Sequence, residues 1–139
     1  MRRVLWCAVL AALPAMAFAQ ATDYQVVGDG IPKSLTGKPG VAARGKALLA
    51  KREAANCLEC HSVKDKDLAG GGSKGPALDG VGAALTQAQL RLSVVDISAV
   101  NPKAGMPSFH KADAAAKGGP KLTPQEIEDV VAYLSTLKK

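Results

Sequence analysis

Near the C-terminus, Ile127, Val130, Val131 and Leu134 recur three and four residues apart, with Tyr133 beside them, which is the apolar stripe of a helix packed on one side. Thr123-Pro124-Gln125-Glu126 opens that stretch with a start signal. Thr123 is the N-cap, Pro124 takes the first helical position, and Glu126 is placed to bond back to the cap. Lys138 and Lys139 stand at the far end, where the helix dipole favours cations. Over 86–97 the pattern is mixed: Leu90, Leu92 and Val94 alternate as in a strand, while Leu90, Val94 and Ile97 recur as in a helix. The ends decide for a helix, because Thr86 and Gln89 form a capping box and Asn101-Pro102 stops whatever precedes it. Residues 41–55 are rich in Ala, Leu, Lys and Arg, with Gly45, Leu48 and Leu49 three and four apart, and predict a further helix. A glycine inside a helix costs about 1 kcal/mol relative to alanine, so Gly45 is expected where another helix comes close. Little of the chain carries a convincing strand pattern, and the expected fold class is all-α.

Loops separate these helices. Residues 22–40 contain Gly28, Gly30, Pro32, Gly37, Pro39 and Gly40 without a sustained period, and are expected to form an extended arm that hangs free or grips a partner. Residues 64–74 are charged and then glycine-rich, a loop with no expected chemistry of its own. Gly75-Pro76-Ala77-Leu78-Asp79-Gly80-Val81-Gly82 reads as a turn, and 111–120 as a loose Ala/Gly connector.

The first twenty residues are not part of that scheme. Arg2 and Arg3 precede an apolar run, 4–13, too short to cross a bilayer, and Ala17-Phe18-Ala19 or Ala19-Gln20-Ala21 supplies a small-x-small cleavage site. This predicts a secretory signal peptide over 1–19, cleaved after 19 or 21, and a periplasmic mature chain. The flanks of the Arg pair do not suit twin-arginine export, and Cys7 lacks the preceding site that lipidation needs, so no membrane anchor is expected. Cleavage would remove Cys7, Met1, Met16, Trp6 and Phe18. What remains is two cysteines, one methionine, one phenylalanine (Phe109) and two tyrosines (Tyr24, Tyr133), meagre for a core of about 120 residues. A buried flat apolar group would supply the missing bulk. Net charge falls from +6 to +4 with Arg2 and Arg3, which suits a charged protein partner. Nucleic acid is not expected, because acids are interspersed with the bases and few aromatics remain to stack on them.

The two remaining cysteines lie in Asn56-Cys57-Leu58-Glu59-Cys60-His61, and C-x-x-C-H is the sequence on which haem is covalently attached. Cys57 and Cys60 share one face of a helical turn, so their thiols can add to the two vinyl groups of one porphyrin, placing His61 as the proximal iron ligand. A zinc site would need four ligands, whereas the exported chain offers Cys57, Cys60, His61 and His110, two of them adjacent. A thioredoxin-type dithiol would need a strand-helix-strand setting, and a disulfide across two residues would close too small a loop to stabilise much. Met106 lies between Gly105 and Pro107 in a stiff loop, 101–110, and is the natural sixth ligand, with His110 as its rival. The apolar stripe of the last helix is structural.

Together, a helix, C-x-x-C-H, a G-P-x-L turn, a middle helix, a Met-Pro loop and an aromatic-bearing last helix resemble class I cytochrome c from residue 41 to the C-terminus. The resemblance implies one haem c per chain, a crossing of first and last helices that sets Gly45 against the Tyr133 region, and a carbonyl from Pro76 that orients His61. More narrowly, the chain is similar to SoxX, the monohaem subunit family of SoxAX sulfur-oxidation complexes. The stretches that carry this are Ile31-Pro32-Lys33-Ser34-Leu35-Thr36-Gly37, the haem motif, Leu90-Arg91-Leu92 leading to Asn101-Pro102, Met106-Pro107-Ser108-Phe109, and Glu128-Asp129-Val130-Val131-Ala132-Tyr133-Leu134. That family implies a SoxA-type dihaem or monohaem partner holding the catalytic haem, a carrier protein whose cysteine is coupled to thiosulfate, and a downstream electron acceptor. The chain would then be the electron-transfer part of a heterodimeric L-cysteine S-thiosulfotransferase, with its arm helping to grip SoxA. With both axial positions of iron filled and no spare nucleophile, no residue is expected to be catalytic, and electron transfer is the expected role. The alternative is a free periplasmic electron shuttle with no sulfur-specific role; a ligand sensor would need an open sixth position.

Overall fold

A computed structural model describes residues 24–51, 53–68, 70–110 and 121–139. The expected signal peptide and the 111–120 connector lie outside the described residues. Among the described residues four helices are formed: α1 (Ala42–Ala50), α2 (Val81–Ala84), α3 (Gln87–Asp96) and α4 (Pro124–Leu134), with 3-10 turns at Cys57–Glu59 and Ile97–Ala99. Among the described residues the only β features are two isolated bridges, Val27 with Gly30 and Ser62 with Gly71, and the fold is all-α.

Helix α4 is the centre of the core, and its start signal is the one the sequence predicts. Thr123 Oγ1 accepts from Glu126 N (3.2 Å), and the Glu126 carboxylate accepts from Thr123 N (2.8 Å). Its stripe of Ile127, Val130, Val131 and Leu134 is buried. Helix α1 crosses it so closely that a Cβ on Gly45 would lie 1.9 Å from the Asp129 carbonyl oxygen. Only a glycine fits there, and the contact falls at Asp129–Val130, one turn before Tyr133. Asp129 also closes the start of α1: its carboxylate accepts from Val41 N (2.7 Å), the N-cap, and from Arg44 Nε (2.6 Å) and Nη2 (2.9 Å). Burial pushes the Asp129 carboxyl up, but Arg44, Val41 N–H and the Gln125 amide outweigh it and hold the group below the usual carboxylate range.

Helix α1 is shorter than the expected 41–55. It stops at Ala50 because Lys51 turns extended (φ −78°, ψ 103°) and its carbonyl accepts from both Ala54 N (3.1 Å) and Asn56 N (3.2 Å). The helix formers beyond Ala50 are drawn into a turn that delivers the chain to the Cys57 motif. Helix α3 opens on the predicted Thr86–Gln89 capping box. Its mixed pattern has a plain cause, since Leu90, Leu92, Val94 and Val95 are all buried and only a narrow side around Gln89 and Ser93 is partly exposed. Helix α2 is a correction to the expected turn: Gly80 (φ +77°) caps a short helix whose Gly82 N bonds Leu137 O (2.8 Å) beyond the end of α4. Gly82 lies so near that end that an added Cβ would be 2.5 Å from Leu134 O.

The arm neither hangs free nor stands clear of its own fold. Ile31 (1% exposed) and Leu35 (5%) enter the core, and Ile31 N bonds Ala88 O at 2.9 Å. The fastening is a buried ion pair, in which Arg91 Nε and Nη2 meet the two Glu128 oxygens at 2.8 and 3.0 Å. Arg91 Nη1 also donates to Ile31 O (2.6 Å), and Glu128 Oε1 accepts from Leu35 N (2.8 Å). One salt bridge between α3 and α4 thereby satisfies two backbone groups of the arm as well as its own charges.

Candidate functional site

Asn56 takes the left-handed conformation (φ 45°), and its side-chain amide donates to Glu59 Oε2 (2.8 Å) across the 3-10 turn that follows. The turn is closed by Cys60 N (3.2 Å) and His61 N (2.9 Å), both donating to Cys57 O, so Cys57, Cys60 and His61 stand together on it. Cys57 and Cys60 are half-buried and not joined to each other, and Cys57 packs against the core. Burial pushes the Cys57 thiol up to about 11, the opposite of the depressed thiol that dithiol redox chemistry requires.

The structure places Pro76 beside His61, with its carbonyl oxygen 2.7 Å from Nδ1. A carbonyl can only accept, so Nδ1 carries the hydrogen and Nε2 keeps a free lone pair. Gly75 lies flat against the same ring: an added Cβ would be 2.5 Å from Cε1 and 2.9 Å from Nε2. The glycine-rich loop before it, expected to carry no chemistry of its own, is the seat of the motif. Gly72 N donates to Leu58 O (2.9 Å) and His61 O (3.2 Å), Gly75 N to Cys60 O (2.8 Å), and Leu78 N to Ser62 O (2.8 Å). Gly72 also allows close approach, since a Cβ there would meet Glu59 O at 2.1 Å. The available signal was a cluster of glycines directly after the motif, where a loop must lie on another stretch of backbone.

Asp65, in the same loop, joins it to the helix crossing. It accepts from Lys46 Nζ on α1 (2.7 Å) and from the Tyr133 hydroxyl on α4 (2.8 Å). Lys46 foremost, then the Asp67 N–H and Tyr133, hold its carboxyl down to about 2. Burial and then Asp65 push Tyr133 up to about 12. Sequence reasoning assigned Asp65 no part, because its partners are 19 and 68 residues away.

Met106 belongs to the other loop, after α3, where it packs half-buried against the same apolar core that Cys57 touches. Phe109 beside it is buried (5%), and His110 stacks edge-on to Tyr24 with ring centroids 5.5 Å apart.

These residues fit a covalently held haem. The donor set is two free thiols three positions apart on one turn, an imidazole already oriented through Nδ1, and an apolar wall that also carries a thioether. Gly75 leaves the ring face clear where any side chain would press on it. Among the described residues, no three His, Cys, Asp or Glu side chains converge as a metal-binding group. Nor is any helix there long and apolar enough to cross a membrane.

Residues 42–138 match the family model for cytochrome c. Among solved structures the chain is similar to SoxXA from P. pantotrophus, with 33% identity and a TM-score of 0.79, covering 86% of this chain and 97% of that one. Ferric cytochrome c-550 from Paracoccus versutus matches at 22% identity and a TM-score of 0.44, over 72% of this chain and 99% of that one. Cytochrome c2 from Paracoccus denitrificans matches at 23% and 0.43, over 71% and 97%. No curated protein matches the chain by sequence. The thiols, the oriented imidazole, the all-α core, the family-model match and the similarity to SoxXA lead to one conclusion: the chain belongs to the cytochrome c family, as a SoxX-type class I electron-transfer cytochrome with one covalently bound haem c.

Proposed function

We propose that this chain is the electron-accepting subunit of a periplasmic SoxAX-type complex, in which His61 and Met106 would hold the haem iron. The similarity to SoxXA over nearly the whole of that chain is the observation that carries the partner assignment. When bound, the haem supplies a one-electron ferric/ferrous couple. The chain's residues do the rest. Cys57 and Cys60 would form the thioether bonds, and the Pro76 carbonyl holds the Nδ1 proton of His61 and leaves Nε2 free to bind the iron. Met106, packed on the core, would offer the iron a soft thioether ligand, which favours the reduced state. His110 is the weaker choice for that position because its ring is engaged with Tyr24.

Joining the outer sulfur of thiosulfate to a cysteine thiol forms one S–S bond and releases two electrons and a proton. The bond would be made at the SoxA partner, and this chain would carry the electrons away one at a time to a downstream acceptor. The exported carrier protein would present the cysteine. An N-terminal signal peptide over 1–19 accounts for the periplasmic location in this reading.

Two measurements test it. Ferric wild-type protein is expected to show the weak red-edge absorption band of Met–iron ligation, and Met106→Ala to lose it; a band unchanged in the variant would assign the sixth position elsewhere. Affinity-tagged protein taken from the periplasm is expected to bring with it a second haem-bearing subunit and to support thiosulfate oxidation. Recovery as a lone cytochrome inactive in that assay would leave a free electron shuttle.

A further inference from the structure

We infer that Ser108 is a positioning residue for the sixth-ligand loop, holding Met106 by tying the loop's return limb to the broken end of α3. The inference rests on the assignment of Met106 as ligand and deepens it. Helix α3 ends where Asp96 turns extended (φ −167°, ψ 85°), so the carbonyls of its last turn have no next turn of helix to serve them. The loop supplies what that turn would have given. Ser108 Oγ donates to Val95 O at 2.6 Å, and Phe109 N donates to Val94 O at 3.3 Å.

The outgoing limb starts from the same place, with Val100 N (3.1 Å) and Asn101 N (2.9 Å) both on Ile97 O. Chain therefore leaves and re-enters at one helix end, and the closed loop between carries Met106 two residues before the stitch. Of the two bonds at the re-entry, the hydroxyl is the shorter, and it is the one a side chain provides. Phe109, buried behind it, holds the limb against the core but presents no side-chain donor. Ser108 thus sets how often the loop swings away and uncovers the metal position. Local opening of this kind is governed by the few bonds at a loop's base, not by the stability of the whole fold.

The test uses the full holoprotein and potassium cyanide as the probe, since cyanide binds ferric iron only when the native sixth ligand is displaced. Ser108→Ala is expected to speed cyanide uptake about fivefold to tenfold, the factor one lost hydrogen bond corresponds to, and to lower amide-exchange protection at Phe109. Ser108→Thr, which keeps the hydroxyl, is expected to return the rate toward wild type. Ser34→Ala removes a hydroxyl from an exposed arm contact to Lys38 O (3.2 Å) and is expected to change nothing. Urea midpoints of all variants separate local from global effects. Uptake unchanged in S108A, or faster only in proportion to lost global stability, would overturn the inference while leaving Met106 as ligand. A wild-type protein that lacks the red-edge band would overturn both.

Discussion

On the His61 side of the haem site, the N–H groups of Gly72, Gly75 and Leu78 lie on the carbonyls of Leu58, Cys60, His61 and Ser62, and a further carbonyl, from Pro76, orients the imidazole. On the Met106 side, the loop's return limb is tied to the end of α3 by the Ser108 hydroxyl and the Phe109 N–H, and its outgoing limb by Val100 N and Asn101 N on Ile97 O. The first arrangement is backbone on backbone and leaves no room for a side chain at Gly72 or Gly75, whereas Gly105, next to Met106, has nothing within 4 Å of an added Cβ. In the proposed reading, the motif that would be joined to the haem rests on backbone bonds, and the loop that would offer Met106 is tied to a helix end partly through a side chain.

The largest expected effect reaches the distal side from a distance. Glu128→Ala would leave Arg91 buried without its anion and strip Leu35 N of its acceptor, at a cost of about 3–5 kcal/mol in urea denaturation. Because α3 carries the Met106 loop, the red-edge band is expected to vanish at lower urea than the helical signal; simultaneous loss would show that the two sides are equally firm.

A direct contrast comes from two glycines. Gly75→Ala puts a Cβ 2.5 Å from the His61 ring and is expected to cost about 1–3 kcal/mol, with a shifted reduction potential and a moved Nδ1–H resonance. Gly105→Ala is expected to stay within about 0.5 kcal/mol of wild type and to leave both signals in place. Equal effects would erase the contrast between the two sides.

The smallest effect is a pH dependence on the proximal side. Asp65 is held at about 2 in the fold against an ordinary 3.8, so its contribution is present above about 3.8 and is lost as pH falls toward 2. Asp65→Asn, which cannot ionise, is expected to show a flatter fall of the urea midpoint between those two values than wild type does. Parallel curves would mean that the contacts to Lys46 and Tyr133 add nothing to the seat.

The fold class, the haem motif and two helix starts were legible in the sequence because each is local. C-x-x-C-H needs only one turn, and the capping boxes at Thr86 and Thr123 pair residues three apart. Gly45 could be read as a point of close approach, but that it meets Asp129, and that Asp129 in turn caps α1, required the crossing itself. The glycine-rich loop looked empty because its work is done by backbone N–H groups, which every residue but proline carries and no sequence pattern displays. Arg91 and Glu128 stood in plain view as charges inside apolar runs, a signal of burial that does not name the partner. Their pairing spans 37 residues, and the bond from Leu35 to Glu128 spans 93. The sequence alone therefore determined that a haem is attached and where, since covalent chemistry is written in neighbouring residues. Tertiary structure alone decided which bonds hold His61 and the Met106 loop in place, since those bonds join parts of the chain that meet only after it folds.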